Sequence, residues 1–372
     1  MTIKRILFAS EAANLGGLQS STHARIADLK SLGIISEKLF LKSGAGKKTY
    51  SDVTVHITNK RKKMVEILQT GKYDAVSMIN RIDLLPVLRD IGFQGRVLFE
   101  VRGRSKNAIQ VLPKLMANQV GGIIVISHYV KRLVHRYLRS QHIPVHVVYN
   151  AVDTELFRPL KQINRQVIPC ADDARKRPIV LWVGRLSENK NYVEMLEIAK
   201  LLQQEPPQPT IWVVADTKAK DNRKKFWREV RRCGLQEHVR LLQCIPHRSM
   251  VHIYNLVGES GGCVLSTSKS EGFQNSLLEG MACGVPVVSP AVGGNVELIQ
   301  DNVNGRLYPV GKTMQATRLL LELLREPKRR QAYVKAGWQR VQLHHTPAQH
   351  ANNFVTALES TRILTFEKRP VP

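Results

Sequence analysis

The sequence predicts an α/β protein built from two doubly wound, Rossmann-like domains. Three observations carry this prediction. Short apolar strands alternate with helical segments along the first half, the same alternation restarts near residue 179, and a poorly periodic stretch, Arg158–Pro178, lies between them. Strands that alternate with helices are typical of parallel sheets with helices on both faces. Ligands of such sheets bind beyond the carboxyl ends of the strands, and we expect the two halves to meet at a cleft.

The first half forms the predicted N-terminal domain, residues 1–160. Its apolar runs predict strands at Ile3–Ala9, Glu37–Leu41, Ala75–Ile79, Val97–Val101, Gly122–Ile126 and Val145–Tyr149. Helical periodicity between these runs predicts helices at Ser20–Leu32, Lys62–Gln69 and Lys131–Leu138.

The second half forms the predicted second domain, residues 161–345. Its strands are expected at Ile179–Val183, Thr210–Ala215, Arg240–Leu242, Gly262–Ser266, Pro286–Ser289 and Arg306–Tyr308. The remaining segment, 346–372, has a helical pattern at Ala348–Arg362.

Length and composition narrow the class of protein. The 372 residues suit two domains of ordinary size, and an apolar fraction of 43% supplies a core for each. No apolar run approaches the roughly 20 residues that span a bilayer, and the N-terminus is typical of a first buried strand rather than a signal peptide. The five cysteines are scattered and never spaced as C-x-x-C, which argues against a metal site or disulfide framework and favours the cytoplasm.

Charge is the unusual quantity of this chain. Lys and Arg number 56 against 30 Asp and Glu, a net charge of +26 with a pI near 10.1. The first 165 residues hold 27 of these cations and 11 of the acids. Such an excess favours an anionic partner: a membrane surface, nucleic acid or a phosphorylated acceptor. One basic run, Lys218–Arg232, places Phe226 and Trp227 among its cations. It is typical either of an anion-binding helix or of a solvated surface with buried aromatics.

The segment 263–288 carries the most chemical information. A strand leads into a loop with Glu271, and a short helix with Glu279 follows and ends at Gly284. Asn275 is the expected N-cap of this helix. The free backbone N–H groups near its start would face an anion, and carboxylates accept hydrogen bonds from sugar hydroxyls. These groups belong to Gln274, Asn275 and Ser276. An acidic residue near a helix start also stabilises the helix dipole, so both interpretations stand on the residues alone.

Two further stretches could bind phosphate. Gly184-Arg185 ends a predicted strand and Lys190 follows, so two cations could neutralise a diphosphate there, or simply face solvent. Gly16-Gly17 lies between the first strand and a helix, where glycine lets the backbone approach an anion or merely forms a turn. Gly293-Gly294-Asn295 is assigned to a turn.

Two of these patterns resemble a known family. The segment E-G-F-x-x-x-x-L-E-G-M-A-x-G-x-P-V-V, from Glu271 to Val288, resembles the E-x7-E segment of the family-4 retaining glycosyltransferases, and G-R-L-x-x-x-K, from Gly184 to Lys190, resembles their donor-phosphate motif. The resemblance implies the GT-B fold, with a final helix that crosses back to the first domain.

The family also implies an activity and a set of roles. The protein would transfer a sugar from a nucleotide sugar, most simply a UDP-sugar, to a hydroxyl acceptor with retention, without a metal or another cofactor. The acceptor would be a glycolipid or polysaccharide precursor at the cytoplasmic membrane face. Arg185 and Lys190 would hold the diphosphate, Glu271 the transferred sugar and Glu279 the ribose. The remaining donor contacts are expected from Gly16, Gly17, Gly184, Phe273, Gln274, Asn275 and Ser276.

The chain departs from the family at two places. Arg102 stands where many relatives have a histidine, and it can stabilise negative charge on donor or acceptor but cannot act as a general base. We therefore include it among the candidate catalytic residues. The stretch Ile245-Pro246-His247 lacks the acidic residue common in relatives.

Two other functions stay open at this point. A nucleotide-sugar epimerase of the same fold would use the same phosphate site and need no acceptor. A nonspecific nucleic-acid-binding protein is suggested by charge alone, although no recognised nucleic-acid module is visible.

Overall fold

The structure, a computed structural model, describes residues 3–13, 17–44, 50, 52–139, 142–215 and 220–367. The chain divides into two compact units, one of residues 1–151 with 347–372 and the other of residues 152–346. The first boundary lies before residue 160 because the stretch after Ala151 bonds within the second unit. The N–H of Val152 donates to the carbonyl of His345, and that of Leu160 to Asn255.

Apolar strands and amphipathic helices alternate along residues 5–147. In chain order the elements are β1 (Arg5–Ala12), α1 (Gly17–Ser31), β2 (Ile35–Lys42), β3 (Val55–Ile57), α2 (Arg61–Gly71), β4 (Ala75–Ile79), α3 (Leu85–Asp90), β5 (Gln94–Val101), α4 (Lys106–Val111), β6 (Gly122–Val125), α5 (His128–Tyr137) and β7 (Val145–Val147). Buried caps mark some helix starts: the Ser127 hydroxyl accepts from the N–H of Val130 at 3.2 Å, ahead of α5.

The second alternation runs from residue 173 to the C-terminal region. Its elements are α6 (Asp173–Lys176), β8 (Ile179–Val183), α7 (Tyr192–Leu202), β9 (Thr210–Val214), α8 (Lys220–Arg232), β10 (Val239–Leu242), α9 (Met250–Glu259), β11 (Cys263–Leu265), α10 (Asn275–Ala282), β12 (Val287–Pro290), α11 (Asn295–Leu298), β13 (Arg306–Tyr308), α12 (Thr313–Arg325), α13 (Pro327–His344), α14 (Pro347–Glu359) and β14 (Ile363–Thr365).

Each unit contains one largely parallel sheet, which confirms the predicted fold class. The first sheet has the order β3-β2-β1-β4-β5-β6-β7, and the second β10-β9-β8-β11-β12-β13. The order reverses between β1 and β4 in the first sheet and between β8 and β11 in the second. Loops that leave the carboxyl ends of strands at such a reversal form the usual ligand crevice of these sheets.

The C-terminal segment lies in the first unit. Phe354 of α14 packs against Phe8 of β1 with ring centroids 5.6 Å apart. β14 pairs antiparallel with the start of β5, with Ile363 opposite Arg96. The sequence analysis missed β14, because three residues are too few to show the alternation of a strand.

A group of charged side chains is buried beneath α1 and α14. Glu100 of β5 accepts from Arg25 at 2.7 Å and from Ser77 at 2.6 Å, and it lies 3.3 Å from Arg102. Burial acts to raise the pKa of Glu100, but the charges of Arg25 and Arg102 outweigh it and lower that pKa to about 2. Lys38 of β2 is fully buried, and its ammonium group has no hydrogen-bond partner among the described residues.

Lys38 therefore destabilises the fold in a pH-dependent way. Burial lowers its pKa from 10.5 to about 7, with Glu100 partly opposing the change. Below pH 7 the folded state must bury a charge that the unfolded chain exposes to water, so the cost is complete there. As pH rises from 7 towards 10.5, the unfolded state holds a proton that the folded state has lost, and wild-type stability increases.

We expect Lys38→Met to raise the free energy of unfolding by about 2 kcal/mol at pH 6, and this gain should shrink as pH approaches 10. Chemical denaturation across this pH range measures it. Lys42→Met, at an exposed position of the same strand, is the matched control and should show no such pH-dependent gain. A stability loss in Lys38→Met at every pH would contradict the prediction.

Candidate functional site

The predicted site residues of the second unit gather where its sheet reverses order. β8 ends at Val183 and leads into the loop with Gly184, Arg185 and Lys190, and β11 ends at Leu265 and leads into the loop with Glu271. The two strands are parallel neighbours, with Leu181 opposite Val264. Both loops therefore leave the same edge of the sheet, at the usual ligand crevice.

An ion pair joins these two loops. The ammonium nitrogen of Lys190 lies 2.7 Å from Oε1 of Glu271, and both side chains are mostly buried, 19% and 14% exposed. Gly184 makes room for this lysine, since a Cβ atom at residue 184 would lie 3.3 Å from the Lys190 stem and 3.1 Å from the ring of Trp182. The pair is thus a built feature of the loops rather than two solvated charges.

Hydrogen bonds hold the loop backbones in place. The Thr267 hydroxyl accepts from the indole N–H of Trp182 at 2.9 Å and lies 2.9 Å from the carbonyl oxygen of Lys190. The amide of Asn189 donates to the carbonyl of Ser270 at 3.0 Å. These contacts between the two loops give Lys190 and Glu271 a preorganised geometry, which favours electrostatic stabilisation of a charged ligand.

Arg185 differs from Lys190 in its surroundings. Its side chain is exposed, and within the described ranges it forms no ion pair or side-chain hydrogen bond. A second cation is therefore available in the same loop as Lys190.

The helix after Glu271 starts differently from the prediction, which had placed Asn275 at its N-cap. α10 begins at Asn275, and its N-cap is Gln274 with extended backbone, not Asn275. Gln274 takes this place because its amide bonds inside the protein: its oxygen accepts from Ser266 at 2.7 Å and from Asn295 at 3.2 Å. The Phe273 ring is also buried, 5.2 Å from that of His345. The side chains of Phe273 and Gln274 thus face inward, so these two residues can offer an anion only their backbone N–H groups.

Glu279 of α10 is held by two side chains that the sequence analysis did not assign to the site. Its Oε1 lies 3.0 Å from Nε2 of His247, and its Oε2 accepts from the Tyr254 hydroxyl at 2.9 Å. Burial disfavours the charged imidazole, but the hydrogen bond and charge of Glu279 outweigh it and raise the pKa of His247. The sequence signal that could have identified His247 was the stretch Ile245-Pro246-His247, which had been considered only because it lacks the acidic residue common in relatives.

Gly293 and Gly294 also proved to be more than a turn. The N–H of Gly294 donates to the carbonyl oxygen of Glu271 at 3.0 Å. A Cβ atom at residue 293 would lie 1.8 Å from that same oxygen, and one at residue 294 would lie 2.0 Å from the carbonyl oxygen of Gly272. Only glycine allows this approach, so the pair sets the position of the Glu271 loop.

The remaining candidate site residues, Gly16, Gly17 and Arg102, belong to the first unit. Gly16 falls outside the described residues, and Gly17 is the first residue of α1. Arg102 is 3% exposed and donates to the Ser21 hydroxyl at 2.8 Å while lying beside Glu100. The contact with donor or acceptor that the sequence predicted for Arg102 would require this network to open.

No group of three or more His, Cys, Asp or Glu side chains is placed to hold a metal ion in the described part of the chain. Across the same residues, no helix combines the length and apolarity needed to cross a membrane.

Comparison with known proteins agrees with this fold. Residues 171–340 match the family described as "Glycosyl transferases group 1". Spore coat protein SA of Bacillus subtilis is 22% identical over 316 residues, 79% of this chain and 80% of that protein. A D-inositol 3-phosphate glycosyltransferase of Frankia alni is 30% identical over 192 residues, 49% of this chain and 45% of that protein. The chain therefore spans less than half of this second relative.

A solved structure extends the similarity to the whole fold. Anabaena Alr3699/HepE, crystallised with UDP and glucose, superposes with a TM-score of 0.81 at 19% identity, over 96% of this chain and all of that one. The two Rossmann-like units thus have the GT-B fold. The segment that matches the group 1 glycosyl transferases, residues 171–340, lies within the second of these units.

Proposed function

We propose that the protein is a family-4 retaining enzyme that transfers a sugar from a nucleotide sugar to a hydroxyl acceptor. The observation that carries this proposal is the Lys190–Glu271 pair, 2.7 Å apart at the sheet reversal, with the exposed Arg185 in the same loop as Lys190. A cation and a carboxylate held together on preorganised loops suit a donor with a charged diphosphate and a neutral sugar.

The diphosphate would be bound by cations and by the start of α10. Arg185 has no competing partner in the described chain, and Lys190 can exchange part of its contact with Glu271 for a phosphate oxygen. Charge develops on the diphosphate as the sugar bond breaks, so these cations stabilise the transition state more than the bound donor. The backbone N–H groups of Asn275 and Ser276 add partial positive charge.

The two carboxylates would bind the hydroxyl groups of the donor. Glu271 would contact the transferred sugar and Glu279 the ribose. Each carboxylate oxygen can accept more than one hydrogen bond, so Glu279 can keep His247 and Tyr254 while it accepts from ribose. The two neighbours hold its oxygens in a fixed orientation for that contact.

The expected donor is a UDP-sugar, with no metal and no other cofactor. Support comes from the HepE structures, which contain UDP with glucose and UDP-glucose. A similar Mycolicibacterium smegmatis mannosyltransferase is named as GDP-mannose-dependent, so the base must be tested directly.

The acceptor is proposed to be a glycolipid or polysaccharide precursor at the cytoplasmic membrane face. The first unit is the more basic one, and residues 101–152 contain eight Lys and Arg and no Asp or Glu. Seven of these side chains, all but the buried Arg102, are exposed or partly exposed, and such a surface favours an acceptor that carries phosphate or carboxylate groups. The inositol 3-phosphate and phosphatidylinositol mannoside named for two relatives are of this kind.

Calorimetric titration with UDP, GDP and ADP tests the donor site. We expect UDP to bind and Glu279→Gln to weaken it about tenfold, because a hydrogen bond to a charged group is lost. Glu259→Gln, at an exposed carboxylate paired with Arg165, is the control and should bind UDP as the wild type does. Equal affinity in wild type and Glu279→Gln would remove the ribose role, and binding of none of the three nucleotides would reject the donor site.

A second assay separates transfer from epimerisation. An epimerase would convert UDP-glucose to an isomer without an acceptor, whereas a transferase releases UDP and extends an acceptor. Isomer formation without UDP release would overturn the transferase proposal.

A further inference from the structure

Helix α8 presents a row of cations that the proposed transfer site does not use. Among its 13 residues, six described Lys and Arg side chains are exposed. They are Arg223, Lys224, Lys225, Arg228, Arg231 and Arg232.

The opposite face of α8 is anchored in the core of the second unit. Phe226 and Val230 are fully buried, and the Phe226 ring packs edge-on against Tyr192 at 5.7 Å. Trp227 is half-buried and lies 5.7 Å from Phe226. The packing of the buried face therefore fixes the position of α8, and the exposed cations are not needed for it.

Acidic side chains do not neutralise this face. Glu229 bonds to Arg232 at 2.8 Å and lies 4.0 Å from Arg228. In the described part of the chain, Arg223, Lys224, Lys225 and Arg231 form no ion pair. Like charges one turn apart on a helix repel, as Lys224 and Arg228 do here. The row thus destabilises its own helix unless an anion is bound.

The cations surround an open groove of about 580 Å³. Its lining is Asp221, Arg223, Lys224, Lys225, Trp227, Arg228 and Arg231. The half-buried indole of Trp227 lies among these cations. An amphipathic ring and a positively charged surface are both favourable in the headgroup region of an anionic bilayer.

We propose that α8 is a docking surface for anionic phospholipid membranes. Phosphate headgroups complement this row, in which four of the six described cations form no ion pair, and Trp227 would lie at headgroup level beside them. A single-stranded nucleic acid would require several aromatic side chains on which successive bases stack, and α8 shows only one aromatic in its groove. This docking does not rest on sugar transfer and needs no nucleotide.

Vesicle co-sedimentation of the full chain tests the proposal with a matched pair of variants. The test variant is Lys224→Gln/Lys225→Gln on α8. The control is Lys62→Gln/Lys63→Gln on α2, which removes the same charge from two adjacent exposed positions. Vesicles contain phosphatidylglycerol with phosphatidylcholine, or phosphatidylcholine alone.

We expect wild type to bind only the phosphatidylglycerol vesicles, and less tightly as salt increases. The α8 variant should bind them about 30-fold more weakly, since each lysine near the surface contributes about a factor of five. The α2 variant should bind within about threefold of wild type.

Three outcomes would overturn the proposal. Equal losses in the two variants would mean attraction by net charge alone, and no loss in the α8 variant would remove the surface. Vesicle binding unchanged in that variant, with a lost gel shift on single-stranded DNA, would assign α8 to nucleic acid. UDP titration of the same variant should match wild type, so failure here is distinct from failure of the proposed donor site.

Discussion

Lys190→Met should lower kcat/KM for UDP release from UDP-glucose by about 100-fold or more, while the protein stays folded. The substitution removes the cation 2.7 Å from Glu271 but keeps an unbranched stem over Gly184. The loss is comparable to that of one preorganised donor to developing negative charge. The effect should fall on kcat more than on UDP affinity, since that charge grows as the leaving group departs.

Lys269→Met is the control for this prediction. Lys269 lies in the same region and pairs at 3.4 Å with Glu188, but both side chains are exposed. An exposed ion pair contributes little, so turnover should stay within about threefold of wild type. Similar turnover losses in the two variants, or none in Lys190→Met, would remove Lys190 from the reaction.

Gly293→Ala should destabilise the protein by about 3 kcal/mol and abolish measurable turnover. Residue 293 has a φ of +52°, and its new Cβ would lie 1.8 Å from the carbonyl oxygen of Glu271. Alanine in this left-handed region costs about 1 kcal/mol, and the overlap adds a cost like that of overpacking. Relief of the overlap moves the Glu271 loop, which separates that carboxylate from Lys190.

Gly311→Ala isolates the conformational part of this effect. Residue 311 has a φ of +79°, and a Cβ atom there would meet nothing within 4 Å. It should cost about 1 kcal/mol in urea denaturation and leave turnover unchanged. If the two alanine variants lost stability and turnover equally, the contact between Gly293 and Glu271 would have no special role.

Local patterns in the sequence were sufficient for the fold and for part of the site. Strands buried on both faces appear as unbroken apolar runs, so β1, β4, β5 and β8 could be placed from the chain. The resemblance of two motifs to one family assigned Lys190 and Glu271 to the same predicted donor site. That β8 and β11 are parallel neighbours, so that the two loops leave one edge of the sheet, is seen only in the structure.

Tertiary structure alone decided which groups hold these residues in place. His247 reaches Glu279 across 32 positions and Gly294 bonds to the Glu271 carbonyl, while Arg25, Glu100 and Arg102 share one buried network. A single polar residue far along the chain leaves no periodic pattern, unlike a strand or an amphipathic helix. Its partner is set by how the elements pack, and so these contacts could be identified only in the folded protein.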